Sequence, residues 1–167
     1  MTRERVDEML KLYRFELGRS GHLLIELQEL EREIAAEEKA MLDDVTSIGG
    51  QNLDGMPRGT KIGDPTGNAG AKLADGYKSD HLLDLEEKWI PLKAAYDRSQ
   101  VVVGHVDAWL SGLNERERWV IEKQVIDCES WRDIISKYRD DFKEKTSKYT
   151  LKRLREKAME KVYLMAQ

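Results

Sequence analysis

A single cysteine, three prolines, few aromatics and no long apolar run exclude several common kinds of protein from this 167-residue sequence. A lone thiol, Cys128, cannot form an intramolecular disulfide. That argues against a disulfide-stapled secreted scaffold and fits a reducing cytoplasm. No stretch of about 18 apolar residues occurs, so no transmembrane helix is expected. Thr2-Arg3-Glu4-Arg5 leads into an amphipathic segment rather than the apolar core of a signal peptide. Aromatics make up 7%, charged residues 36%, and the mean hydropathy is −0.65. This balance fits long solvated helices better than a β-sandwich or a large α/β enzyme.

Catalytic and metal signatures are also lacking. His22, His81 and His105 lie far apart in sequence, with no HExxH and no paired Cys/His spacing. Asp80, His81 and Asp84 read as the surface of a helix start. Cys128, between Ile126 and Trp131, reads as a small core thiol. Gly63, Gly67 and Gly70 lack the strand–loop–helix context and the Lys-Ser/Thr of a phosphate loop. The expectation is a binding protein rather than an enzyme, with no cofactor and no metal.

What is present is charge, unevenly distributed. The net charge is −4, yet between Lys143 and Lys161 eight Lys/Arg stand against three Asp/Glu, leaving 20 against 29 elsewhere. One basic segment on an acidic protein is the electrostatic footprint of a nucleic-acid reader, or else a solvated helix face.

Apolar periodicity predicts an all-α protein. Val6, Met9, Leu10, Tyr13 and Leu17 mark a first helix. Gly18-Arg19-Ser20-Gly21 reads as an interruption, and Leu23, Leu27, Leu30, Ile34, Met41 and Val45 mark a second run. Trp89 and Trp109 read as core or interface anchors. Turn signals fill residues 47–68, read as a long loop, and helix returns weakly at 69–75 and firmly from Ser79. Leu82, Leu85, Trp89, Leu92, Tyr96, Ser99, Val103, Val106, Leu110 and Leu113 then follow alternating three- and four-residue steps, with polar Ser99 the exception. A seam this long favours a helical hairpin or coiled coil, closed within the chain or between subunits. Pro91 is expected to kink this helix or mark a start. The pattern divides the chain into a helical, oligomerising domain at 1–110 and a second domain at 111–167.

In the second domain Asn114 with Glu117 resembles a capping box, with Trp119, Val120, Val125 and Ile126 as the apolar face. Ser130 is expected to cap a short helix over 131–138, with Ile134, Ile135 and Tyr138 inward, and residues 139–145 read as a polar connection. Thr146 or Ser147 caps a last helix whose core stripe is Leu151, Leu154, Ala158, Val162 and Met165. Three such helices make a helix-turn-helix, whose final helix enters the major groove by its N-terminal end. The candidate DNA-binding residues are Ser147, Lys148, Tyr149, Thr150, Lys152, Arg153, Arg155 and Lys157. Arg153 or Arg155 suits a bidentate contact to guanine; Lys148, Lys152 and Lys157 suit phosphates.

The segments 113–121, Ser130-Trp131-Arg132-Asp133-Ile134-Ile135 and 147–158 resemble region 4 of sigma-70-type factors, apart from a longer connection over 136–146. Met56-Pro57-Arg58-Gly59-Thr60, Asp64-Pro65-Thr66-Gly67-Asn68-Ala69 and Lys72-Leu73-Ala74 resemble the ArpU/RinA-type phage regulators. The resemblance implies a transcriptional activator of phage or prophage late genes, those for packaging and lysis, in the bacterial cytoplasm. Its implied partners are double-stranded promoter DNA, host RNA polymerase and a second copy of itself. A small terminase-like DNA-packaging subunit, ring-forming and coupled to a motor ATPase, is the alternative.

Overall fold

The computed structural model describes residues 1–47 and 78–167, and among these the regular structure is entirely helical. Helix α1 spans Arg3–Ser47, α2 Asp80–Ser111, α3 Glu115–Ile121, α4 Trp131–Phe142 and α5 Lys148–Met165. A π-helical turn, Glu122–Ile126, follows α3 directly. The loop expected beyond Ser47 and the weak helix at 69–75 lie outside the described residues. No described helix is long and apolar enough to cross a membrane.

Helix α1 runs unbroken through Gly18-Arg19-Ser20-Gly21, where an interruption was expected. The reason is a heptad seam whose members are not all apolar. Positions 6, 9, 13, 16, 20, 23, 27, 30, 34, 37 and 41 are all buried or half-buried. Three of these are Glu16, Ser20 and Glu37. Ser99, the polar exception in the α2 seam, donates to Glu16 Oε2 at 2.6 Å. Glu16 and Ser99 thus answer each other, and such a pair fixes the register of a helix pair. Leu17, expected in the stripe, is exposed instead. The α2 helix also continues through Pro91, which lies inside it and is exposed.

The chain forms two compact units, Met1–His22 with Ala95–Gln167, and Leu23–Ala94. They divide elsewhere than at residue 110. In the first unit, α1 residues Val6, Met9 and Leu10 share one core with Val106, Trp109 and Leu110 of α2 and with Ala158, Met159 and Val162 of α5. Each such Val, Leu or Met side chain stabilises by about 1.5–3 kcal/mol on burial. Polar bonds edge this core. Tyr13 donates to Asp107 at 2.7 Å and Tyr163 to Asp7 at 2.8 Å. Burial and then these carboxylate partners push both phenols up to about 12. In the second unit the two helices run antiparallel, since Ser79 bonds Glu37 and Trp89 bonds Glu31. The α2 seam is buried or half-buried along its length within a single chain.

Candidate nucleic-acid interface

The last three helices are each started by the chemistry their sequence carries. Asn114 Oδ1 accepts from Glu117 N–H at 2.9 Å, and the Glu117 carboxylate reaches back to Asn114 N–H, a complete capping box. Ser130 caps α4, and Ser147, rather than Thr146, caps α5. The second core lies between these helices: Val120, Ile134, Tyr138 and Leu151, flanked by Trp119, Trp131 and Phe142. Trp119 stands edge-on to Tyr138 and Phe142 and donates to Asp141 at 2.9 Å.

That aromatic cluster explains one difference from the sequence reading. Phe142 lies four residues after Tyr138, on the same face, so its packing carries α4 past the expected end at 138. The polar connection shrinks to residues 143–147. Lys143 takes the left-handed conformation there, with φ of 55°. Cys128, expected in the core, is exposed with φ of 53°, because the π-helical turn shifts the register after Ile126 and turns the thiol outward. Met165 is exposed as well, and Met159, outside the expected stripe, is buried.

Helix α5 buries Leu151, Ala158, Met159 and Val162, with Leu154 half-buried. Lys148, Tyr149, Lys152 and Arg153 are exposed on its first two turns, Tyr149 most of all at 75%. Ser147 and Thr150 form the cap: Ser147 Oγ accepts from Thr150 N–H at 3.1 Å and lies 2.9 Å from its hydroxyl. Lys157 is exposed beyond them. Arg155 departs from this set. It follows Leu151 by four residues, which puts it beside the buried stripe rather than off it. It is half-buried, and its Nη1 donates to Gln124 Oε1 of the π-helical turn at 3.2 Å.

The field around α5 is set by what its first turn omits. Helices α1, α2, α3 and α4 each carry an acid in the first turn, complementing the positive end of the helix dipole. Helix α5 carries none and places Lys148 there. An anion from outside is what such an end accommodates. An open groove of about 1540 Å³ passes this end, lined among others by Lys11 of α1, Gln124, Lys145, Ser147, Arg153 and Lys157. Lys11 and Lys145 were not singled out by sequence. Lys11 is off the α1 stripe, and only the fold brings it near α5. Two other groove cations are already paired, Arg3 with Glu160 and Arg116 with Glu144. The bond to Glu144 and the field of nearby anionic groups raise the Arg116 guanidinium above its ordinary value.

Behind this surface, Glu117 is fully buried and takes Lys161 Nζ on both oxygens, at 2.7 and 2.8 Å. A second ionic cluster, Arg14–Asp127–Lys123, joins α1 to the π-helical turn. Burial works against a charged Asp127, but Arg14 and Lys123 outweigh it and hold the carboxyl below its usual range. Among the described residues no three His, Cys, Asp or Glu side chains gather as a metal site. The chain matches no family model, no curated protein and no solved structure.

Proposed function

We propose that the C-terminal helices form a helix-turn-helix that binds double-stranded DNA, with α5 entering the major groove by its N-terminal end. The observation that carries this reading is the exposed face of Lys148, Tyr149, Lys152 and Arg153, whose three cations have no ion pair among the described residues, on a helix start that lacks an acid. Arg153 suits a two-pronged guanine contact, and Lys148 and Lys152 suit phosphates. Ser147, Thr150 and the free N–H groups of the first turn suit a phosphate at the helix end. Arg155 also lines the groove, but its guanidinium is engaged by Gln124, so it braces α5 rather than reading a base. Together with the sigma region 4 and ArpU/RinA resemblance, this supports a sequence-specific activator of phage or prophage late genes. It would work in the bacterial cytoplasm with host RNA polymerase and as a dimer, and the chain would not be an enzyme.

The test is selection of bound sequences from a random DNA pool, followed by gel-shift titration. The wild-type chain is expected to enrich a palindromic site. Lys152→Ala with Arg153→Ala is expected to abolish specific binding with the helical content intact. No enrichment, or unchanged affinity in the double variant, overturns the reading. A solution assembly of eight or more subunits would favour the packaging subunit instead.

A further inference from the structure

Within the unit formed by Leu23–Ala94, the two helices leave an apolar groove on one side of their seam. Its floor is Ile34, Ala35, Trp89 and Ile90, and its volume is about 470 Å³. Ile90 is 64% exposed, although it is a large aliphatic side chain next to a seam tryptophan. Three carboxylates rim the floor: Glu31 and Glu38 from α1 and Glu86 from α2. Glu31 accepts from the Trp89 indole at 3.3 Å, and Glu86 is paired with Lys78. Glu38 is exposed. The surrounding helix adds to the field. Between Leu23 and Ser47 there are eight carboxylates against two cations, Arg32 and Lys39.

We infer that this groove is a docking site for a basic amphipathic helix of a partner protein. An apolar floor accepts the apolar stripe of a helix laid along it, read as residues at i, i+3, i+4 and i+7. The rim selects the charge of that helix. Glu31 and Glu38 are seven residues apart, about 10 Å along α1. Lysines or arginines spaced seven apart on the incoming helix would meet both at once. An acidic helix of the same apolar pattern would be repelled by the rim. So would the same face of a second copy, because its groove bears the same three carboxylates. The site belongs to the helical hairpin and stands whether or not α5 reads DNA.

The experiment uses the full chain with labelled isoleucine methyl groups and three synthetic peptides of roughly 18 residues, long enough to form a helix on binding. One is an amphipathic Lys/Leu helix, one the same pattern in Glu/Leu, and one a scrambled Lys/Leu sequence of equal composition. The amphipathic Lys/Leu peptide is expected to shift the Ile34 and Ile90 methyl signals saturably. Raising the salt is expected to weaken it, as for any rim-charge contact. Glu38→Lys is expected to weaken it at least about tenfold, and Ile90→Asp to abolish it. Both positions are exposed, so both variants keep the fold. Absence of shifts overturns the proposal, as do equal shifts from the Glu/Leu or scrambled peptide. Shifts that grow with protein concentration alone also overturn it, because a second copy would then be the occupant. DNA titration of the same samples reports on α5 separately.

Discussion

Removing Lys161 is expected to harm this protein more than removing the charge of its partner. The two ends of the Glu117–Lys161 pair differ in their access to water: the Glu117 side chain is 0% exposed and that of Lys161 41%. In Lys161→Met the carboxylate stays buried, with the Asn114 N–H at 3.3 Å as its remaining donor. Breaking a buried pair from one side costs about 3–5 kcal/mol. With one end reaching water, about 2–3 kcal/mol is the expected loss. Glu117→Gln keeps an acceptor for Asn114 and leaves an ammonium that can turn to solvent, for a loss of about 1 kcal/mol. The dependence on pH separates the two further. Burial alone would raise the Glu117 carboxyl, but Lys161 and the Asn114 N–H hold it below its ordinary value. A carboxyl depressed in the folded state stabilises above the unfolded value of about 4.3. That contribution is lost as the pH falls through the folded value. In Lys161→Met the sign reverses, because an unpartnered buried carboxyl is raised. The variant's deficit is therefore expected to shrink between about pH 7 and pH 4. Urea unfolding followed by tryptophan fluorescence at both pH values measures this. Equal losses in the two variants, or a Lys161→Met deficit that is unchanged at low pH, would refute the reasoning.

Three further outcomes are expected. Gly18→Ala and Gly21→Ala will each raise stability by about 1 kcal/mol, the usual helical preference, because an added Cβ meets nothing within 4 Å; an unchanged urea midpoint would count against this. Lys148→Ala will weaken binding to all DNA sequences alike and lower the salt slope by about one unit, and a loss confined to one sequence would place Lys148 on a base instead. Arg155→Met will lower the urea midpoint but leave the selected DNA sequence unchanged, since its guanidinium is engaged with Gln124; an altered base preference would contradict that assignment.

Much of the helical scaffold was legible in the residue spacing. The α2 seam could be read position by position, because nine of its ten members are apolar. The α1 seam could not. Glu16, Ser20 and Glu37 occupy it; Ser20 bonds the Leu17 carbonyl, but Glu16 and Glu37 are matched by Ser99 and Ser79, far away in sequence. No local pattern carries that information. The caps Asn114 and Ser130 were legible, being local chemistry. The end of α4 was not, because Phe142 is held by Trp119 of another helix. At the candidate interface the basic cluster was visible as composition. Its division into an outward set and an inward Arg155 needed the position of Gln124.

The core of the first unit joins Val6, Met9 and Leu10 to Ala158, Met159 and Val162, and Tyr163 bonds Asp7 across 156 positions. Contacts so distant in sequence slow folding, because loop closure must precede any gain from them. During synthesis at about 5–20 residues per second, the first turns of α1 wait roughly 7–30 s for α5 to leave the ribosome. Through that interval their apolar face has no α5 to pack against. The basic helix is thus the piece that completes the core, and a chain able to present Lys152 and Arg153 in place is one whose first turns have already found their partner.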